Sequence, residues 1–168
     1  MAAREGEIAL EFDPAELTAD ASVVFIGRVR SPWKDREDCP KNMAAARAAA
    51  RPAGIELDPA YRRGLEGLSR FSHAVLLTWL DRSARNLIVQ KPRHAETARG
   101  TFALRSPVRP NPIGLHVVRI TAIDAEAGLV GIDGIDVLDG TPVIDLKPYY
   151  VSTDSVADAV DGRAGPPA

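Results

Sequence analysis

The chain has little of several features that mark particular classes of protein. It contains a single cysteine, Cys39, in 168 residues, which excludes an intrachain disulfide and a zinc site of the usual cysteine-rich kind. No uncharged apolar run approaches the roughly 20 residues that a membrane span needs. The N-terminus lacks the apolar segment of a signal peptide. We therefore expect a cytoplasmic protein without metal or membrane partners.

Excess charge and aromatic residues are also scarce. The formal net charge is -2 and aromatic residues make up 5% of the chain, which argues against a protein dominated by nucleic-acid binding but allows a local basic patch. The stretch 81–109 has such an excess, with two acids, Asp81 and Glu96, against seven basic residues: Arg82, Arg85, Lys91, Arg93, Arg99, Arg105 and Arg109. Alone, such a run is more often a solvated face. Trp33 and Tyr149 are better candidates for base stacking than Phe102, for which a core position is the alternative.

The composition changes at both ends of the chain. Residues 1–19 mix acidic residues with alanine, and residues 154–168 are small and acidic before ending in glycine and proline. We predict an N-terminal extension over 1–19, one domain over 20–153 and a flexible tail over 154–168. A domain of this length buries a hydrophobic core large enough to be stable without disulfides or bound metal ions.

Strand patterns dominate the body. Seven short runs are rich in β-branched and apolar residues: Ser22–Val29, His73–Leu80, Leu87–Gln90, Thr101–Leu104, Leu115–Ile123, Leu129–Ile132 and Val143–Leu146. The turn at 124–128 predicts a hairpin between the fifth and sixth runs. Helical signals are confined to 42–51, predicted as a surface helix or mobile loop, and to one or two turns within 61–70. We predict an all-β fold, a small and mostly antiparallel β-barrel with short helical or loop insertions; a sandwich is the alternative.

Three segments are not explained by periodicity. The first is the strand end at Arg30-Ser31-Pro32, which presents a guanidinium and a hydroxyl at a sheet rim. The second is 102–114, where three prolines stiffen a loop that carries arginine, serine and asparagine. Stiff polar loops preorganise hydrogen bonds to a ligand, although a rigid crossover between strands is the alternative.

The third segment is 136–149, which begins at Asp136 and contains a tight turn at 139–142 followed by a strand. Alternation places Val143, Asp145 and Lys147 on one face and Ile144 and Leu146 on the other. If Ile144 and Leu146 face the core, Asp145 and Lys147 share the outer surface. The simple interpretation of that pair is a surface ion pair worth well under about 1 kcal/mol.

Four motifs in these regions resemble one family. They are RSP, GLxxxSRFSH, RSxxRPNPIG and DGTPVIDLKPY, in the order and rough spacing of the TrmO family, also called TsaA-like or YaeB-like, over about 24–150. Its members are tRNA threonylcarbamoyladenosine methyltransferases that use S-adenosylmethionine. The resemblance implies a small all-β barrel and a homodimer with the cofactor near the subunit interface. It also implies methyl transfer to the exocyclic nitrogen of a modified adenosine beside the tRNA anticodon.

The resemblance also implies a set of cofactor contacts. The residues that match the family's contact positions are Pro40, Lys41, Asn42, Arg105, Leu115, Asp139, Gly140, Thr141 and Pro142. We expect Arg105 to form a bidentate pair with the cofactor carboxylate; the alternative is a structural tie to an acid such as Asp139 or Asp145. Asp81 and Arg82 stand where family members commonly have His-Gln. Asp81 there suits the ribose hydroxyls, or else marks a different substrate.

For catalysis we predict that Asp145 orients or deprotonates the acceptor nitrogen, with Lys147 and Tyr149 positioning the base. Longer relatives carry a further C-terminal domain, and we expect its tRNA contacts to be missing here. A small-molecule or other RNA acceptor is one alternative, and a non-enzymatic S-adenosylmethionine sensor is another.

Other reactive side chains give weaker signals. The histidines at 73, 94 and 116 lack metal-ligand spacing, so structural or surface roles are favoured. Ser72 and His73 are not predicted to form a catalytic dyad, because adjacent strand residues point to opposite faces. Without a histidine partner, Cys39 is not predicted to be a nucleophile.

Overall fold

The computed structural model describes residues 3–92 and 95–160. This part of the chain contains nine strands: β1 (Ile8–Ala9), β2 (Gly27–Arg30), β3 (Ala53–Leu57), β4 (His73–Trp79), β5 (Leu87–Gln90), β6 (Arg99–Gly100), β7 (Ile113–Asp124), β8 (Leu129–Ile132) and β9 (Pro142–Pro148). The helical elements are short: α1 (Met43–Ala48), α2 (Val151–Asp154) and 3₁₀ turns at Pro59–Leu65, Leu68–Arg70 and Thr101–Ala103. The prediction of mostly antiparallel strands with few helices is confirmed.

Six strands form the main body and pair in the cyclic order β2-β3-β8-β7-β4-β9, with β9 pairing again with β2. We call this the six-stranded ring. Every pairing within it is antiparallel. Its interior holds branched side chains from alternate strand positions, among them Val29, Ile55, Leu76, Val118 and Val130. These contacts fix the register, because a shift of one residue would turn the whole apolar set toward water.

The predicted hairpin joins β7 to β8 and is confirmed. Its turn ends at Gly128, whose φ of 76° lies in the left-handed region that favours glycine. Strand β7 has twelve residues but β8 only four, and β8 pairs with β7 over 120–124 alone. Along 113–119, therefore, the edge of β7 that faces away from β4 has no strand of the described chain beside it.

A second, smaller sheet has the order β1-β5-β6. Residues of the predicted N-terminal extension take part in it, because Ile8 pairs with Val89 of β5. Next to β1, Glu7 accepts a hydrogen bond from the backbone N–H of Lys91 (3.2 Å) and pairs with Arg4. The hydrogen bond from Arg4 lowers the pKa of the Glu7 carboxyl to about 2. One end of the extension is thus attached to the body.

Two strand predictions need correction. The strand predicted to begin at Ser22 begins only at Gly27, because its partner β3 ends at Leu57, opposite Gly27. The run predicted as a strand over 101–104 is a 3₁₀ turn, in which the buried Thr101 hydroxyl donates to the Leu87 carbonyl (2.9 Å). Strand β3 was not predicted, since Ala53 and Gly54 are weak strand formers; it forms because β2 and β8 pair with it on both sides.

The alanine-rich stretch over 42–51 forms the surface helix α1. Asn42 caps it by accepting a hydrogen bond from the backbone N–H of Ala45 (2.9 Å). Only Ala46 of the helix is buried. A Cβ on Gly134 would lie 3.2 Å from the Ala46 backbone, so glycine permits this close approach of the helix.

Strand β9 departs from the predicted alternation. Its pairing with β4 shifts between Leu77, which lies opposite Asp145, and Thr78, which lies opposite Val143. Ile144 is the extra residue of this bulge, so Val143 and Leu146 both turn toward the core, instead of Ile144 and Leu146.

Candidate active site

A large cleft of about 2040 Å³ runs along the open edge of β7. Its walls come from the loop before α1, the proline-rich segment before β7, β7 itself and the loop before β9. Two arginines from opposite walls donate to backbone carbonyls of this edge: Arg105 Nη2 to Leu115 (2.7 Å) and Arg47 Nη2 to Val117 (2.6 Å). Because no strand of the described chain lies beside this edge, a cleft bounded by cationic side chains remains there.

The proline-rich wall is held at several points along its length. Gln90 is buried at its base and donates to the Thr101 hydroxyl and to the Val108 carbonyl (2.5 Å). Arg85 donates to the Pro110 carbonyl (2.5 Å) while its guanidinium lies over the ring of Trp79, 5.6 Å from the centroid. These bonds, together with the prolines, hold the segment in one conformation beside the cleft.

Arg105 lies in this wall with its guanidinium exposed. The acceptor that it meets is the carbonyl of Leu115, so the structural alternative of an ion pair with Asp139 or Asp145 is not what the structure shows. One of its five N–H donors is used in this bond, and the planar fork is thereby oriented along the β7 edge.

The loop before α1 forms the facing wall. Pro40, Lys41 and Asn42, which were predicted to contact the cofactor, all line the cleft. Cys39 lies beside them, and burial raises the pKa of its thiol to about 11. The thiol therefore stays protonated at neutral pH, which agrees with the prediction that it is not a nucleophile.

Asp81, Arg82 and Leu115, also predicted to contact the cofactor, line the β4–β7 side of the cleft. Asp81 and Arg82 are exposed and lie just beyond the end of β4, after Leu80. Leu115, near the start of β7, is 47% exposed. It offers an apolar surface next to charged groups.

The Asp139–Pro142 turn divides between the cleft and the fold. Thr141 lines the cleft, whereas Asp139, Gly140 and Pro142 do not. Asp139 accepts a hydrogen bond from the Ser31 backbone (3.0 Å) and pairs with Lys34 (2.6 Å). The hydrogen bond from Lys34 lowers the pKa of the Asp139 carboxyl. In the single chain, this aspartate ties the 31–34 loop to the turn.

The three residues predicted to be catalytic are separated. Tyr149 lines the cleft and packs edge-on near His73, with ring centroids 6.5 Å apart. Asp145 lines a smaller groove elsewhere, beside Phe71 and Leu146. Lys147 pairs with Asp145 at 2.5 Å and its side chain is 63% exposed. The catalytic assignment stays a prediction, but the single chain brings only Tyr149 to the cleft.

Two histidines lie at the cleft, and one of them departs from the prediction made for it. The Ser72 hydroxyl lies 2.8 Å from His73 Nδ1, although the two residues were predicted to point apart. The reason is that β4 begins at His73, so Ser72 is outside the strand and free of its alternation. His116 is buried in the cleft wall, where it contacts Thr78 and Asp136. The sequence analysis placed Asp136 at the start of the third segment but gave it no role and did not pair it with His116. The signal that could have found the pair was the inward position that His116 shares with Val118 on alternating β7.

The basic stretch is partly at the cleft. Arg82, Arg105 and Arg109 line it, while Arg93 and His94 lie outside the described residues. Phe102 is not a core residue: its side chain is 79% exposed at the cleft rim. Trp33, predicted as the better stacking candidate, is instead anchored by its indole N–H to the Ile135 carbonyl (2.8 Å).

Within residues 3–92 and 95–160, no three His, Cys, Asp or Glu side chains come together in a way that could hold a metal ion. No helix of that part of the chain has the length and hydropathy needed to cross a membrane.

Known proteins share this architecture. The family profile described as the tRNA-methyltransferase O N-terminal domain matches residues 28–155. A probable S-adenosyl-L-methionine-binding protein of Methanothermobacter thermautotrophicus is 42% identical over 132 residues, which is 78% of this chain and 91% of that protein. The tRNA (adenine(37)-N6)-methyltransferase of Escherichia coli K12 is 32% identical over 142 residues, which is 80% of this chain and 60% of that protein.

A solved structure agrees with these matches. The crystal structure of TrmO from Pseudomonas aeruginosa is similar to this chain with a TM-score of 0.69 and 37% identity, over 88% of this chain. The chain covers 64% of that protein, so it spans less than two-thirds of both named methyltransferases. Profile, sequence and structure coincide over the region that carries the four motifs. The chain therefore belongs to the tRNA-methyltransferase O family, in the part described as its N-terminal domain.

Proposed function

We propose that this protein is an S-adenosylmethionine-dependent methyltransferase that acts on tRNA. One observation carries the proposal: eight of the eleven predicted cofactor residues line a single cleft, although they come from five separate parts of the chain. The names of the relatives support the same reading, since they include binding of S-adenosyl-L-methionine and methylation of tRNA. The unit proposed for this activity is the domain over 20–153, with 1–19 and 154–168 as its extension and tail.

The residues present fit the cofactor chemically. S-adenosylmethionine has a carboxylate, an amine, a ribose diol and an adenine, and when bound it supplies an activated methyl group. Arg105 suits the carboxylate, because its fork is already oriented by the Leu115 carbonyl. Asp81 suits the ribose hydroxyls, and the exposed Leu115 side chain suits an apolar ring face. The backbone groups at Pro40, Lys41 and Thr141 suit the adenine edge.

The exocyclic nitrogen of threonylcarbamoyladenosine, next to the anticodon, is the acceptor that we propose. The name of the E. coli relative supports a position-37 adenine. At the cleft rim, Arg82 and Arg109 supply positive charge for phosphates, and the exposed Phe102 supplies a ring on which a base can stack. A tRNA acceptor also implies a cytoplasmic location.

We further propose a homodimer with Pro40–Asn42 near the interface. Ile113 and Leu115 are 45% and 47% exposed on the outward face of β7. Such a set on one side of a small protein is typical of an interface. Sedimentation at micromolar concentration is expected to show a dimer, and a monomer would contradict this part of the proposal.

The decisive experiment is transfer of labelled methyl to tRNA. Two acceptors are compared: tRNA from cells that lack the family's methyltransferase, which retains unmethylated threonylcarbamoyladenosine, and the same tRNA made without the threonylcarbamoyl group. Label in the first alone is the expected result. Label in both would indicate another acceptor, such as a different RNA position. Cofactor binding without any label would indicate the sensor alternative.

A further inference from the structure

His116 is a buried titratable residue that the proposed function does not use. It lies on β7 with 6% of its surface exposed, on the same inward side as the fully buried Val118. Both ring nitrogens have partners: Nε2 lies 3.1 Å from the Thr78 hydroxyl, and Nδ1 lies 2.9 Å from Asp136 Oδ1. A buried histidine with two such partners is held in one orientation.

The partners also determine which nitrogen carries the proton. An ionised carboxylate only accepts hydrogen bonds, so the N–H of His116 is at Nδ1 and points to Asp136. In the neutral imidazole Nε2 is then the acceptor, and the Thr78 hydroxyl donates to it. Gly114 leaves room for this network, because a Cβ there would overlap both the Thr78 hydroxyl and the imidazole.

Asp136 is the member of the network that reaches the cleft. Its side chain is 19% exposed, and the residue lines the cleft together with Cys39 and Thr141. Asp133, a second carboxylate of this wall, is bound by Arg47 (2.8 Å) and by the backbone N–H of Arg119 (2.9 Å). The partner of Asp136 is instead an imidazole, and only Oδ1 is engaged with it.

We propose that Asp136 is the base of the methyl transfer and that His116 is a positioning residue that holds its carboxylate toward the cleft. This inference rests on the proposed function. The acceptor nitrogen forms a bond to the methyl carbon as the carbon–sulfur bond breaks and its electron pair stays on sulfur. The nitrogen's own proton passes to Oδ2 of Asp136, which leaves the product neutral, and the open cleft then releases that proton to water.

Asp136 suits this task better than Asp145, which was predicted from sequence. Asp145 lies outside the cleft and is paired with the exposed Lys147. A nearby ammonium group favours the charged form of a carboxylate, so that carboxylate is a weaker proton acceptor. Asp136 faces His116 from β7 and Cys39 from the loop before α1, and neither of these is a lysine or arginine that would hold the carboxylate in a permanent ion pair.

The test is Asp136→Asn, which keeps the shape of the side chain and removes the base. Single-turnover methyl transfer to tRNA is expected to fall by about 100-fold or more, the usual contribution of general base catalysis. The affinity for S-adenosylhomocysteine, measured by calorimetry, is expected to stay within about twofold, because the base does not hold the cofactor. The exposed Asp20→Asn is the matched control and is expected to change neither quantity.

Two variants of His116 test its positioning role. His116→Asn retains a donor near the Nδ1 position, whereas His116→Gln places its amide near Nε2. We expect the asparagine variant to transfer methyl faster than the glutamine variant, at similar affinity for S-adenosylhomocysteine. Nitrogen NMR of the wild-type protein supplies a readout besides activity: it should show neutral His116 protonated at Nδ1, with a signal that shifts in Asp136→Asn.

Several results would overturn the inference. Wild-type rates in Asp136→Asn, or a loss confined to Asp145→Asn, would remove Asp136 as the base. A large loss of S-adenosylhomocysteine affinity in Asp136→Asn would make it a cofactor ligand instead. A protonated Nε2 on neutral His116 would remove the positioning role. If the wild-type protein transfers no methyl to tRNA, the proposed function fails and this inference fails with it.

Discussion

Two regions of the domain place a carboxylate beside a basic residue, and they differ in the burial of the pair and in the distance between its members along the sequence. At the cleft, Asp136 contacts a histidine that is 6% exposed. On β9, Asp145 contacts Lys147, whose side chain is 63% exposed. The β9 pair is visible in the sequence as two residues two positions apart, whereas twenty positions separate the residues of the cleft pair. Because its residues are close in the sequence, the exposed β9 pair was easier to predict than the buried pair at the cleft.

The comparison shows that burial, more than proximity, decides what an acid–base pair can do. Water screens the β9 pair, so its strength is well under about 1 kcal/mol. In the cleft, a buried group that loses its partner costs about 1–3 kcal/mol, so the orientation of His116 and Asp136 is strongly constrained. Four variants compare the cleft with the β9 surface: three change residues of the cleft and its wall, and one changes β9. They are given from the largest expected effect to the smallest.

Arg105→Ala is expected to lower the affinity for S-adenosylhomocysteine by about 10- to 150-fold. The lost charge-assisted pair is worth about 1.5–3 kcal/mol. Arg105→Lys should recover only part of the affinity, because a point charge does not reproduce the planar fork. Calorimetric titration of each variant, beside its melting curve, measures both effects. Unchanged affinity in a folded alanine variant would show that the bond to Leu115 is the whole role of this residue.

Phe102→Ala is expected to weaken tRNA binding by about 5- to 150-fold, the equivalent of one base–aromatic stack of about 1–3 kcal/mol. The melting temperature should not change, since the ring is 79% exposed. Filter binding at fixed salt gives the affinity, and Phe102→Tyr is the control that retains a ring. If Phe102→Ala instead turns a dimer into a monomer, the residue belongs to the subunit interface.

Gln90→Leu tests whether the cleft wall depends on its buried anchor. The substitution leaves the Val108 carbonyl without the amide donor that it now has, so unfolding in urea should require about 1–3 kcal/mol less free energy. The affinity for S-adenosylhomocysteine should fall as well, because the Arg105 segment loses its attachment. Gln90→Glu keeps the shape of the side chain but removes the amide N–H donors. Full affinity in a destabilised Gln90→Leu protein would separate the stiffness of the wall from binding.

Lys147→Ala is expected to have the smallest effect on stability. An exposed pair contributes about 0–1 kcal/mol, so the urea midpoint should hardly move. Methyl transfer by the same variant tests the sequence-based prediction that Lys147 positions the acceptor base. A loss of transfer at unchanged stability would support that prediction and would show that the β9 surface, not only the cleft, takes part in the reaction.

Much of the candidate site could be predicted because its residues occur in contiguous motifs. Pro40–Asn42, Arg105 and the turn before β9 were found from short stretches of sequence, and most of these residues line the cleft. The errors follow from interactions between distant segments. Strand β3 forms because two neighbours pair with it, and the bulge at Ile144 arises from the register with β4. Neither leaves a local pattern.

The sequence by itself determined the family, the mostly antiparallel character of the fold and the chemical groups offered to a ligand. These depend on alternation, turns and motifs, which are local properties of the chain. Only the tertiary structure decided that the edge of β7 stays open along 113–119, that Arg105 is oriented by Leu115, and that His116 meets Asp136. Each depends on how segments that are distant in sequence pack beside the end of β8. No local pattern of residues reports which distant segments will come into contact.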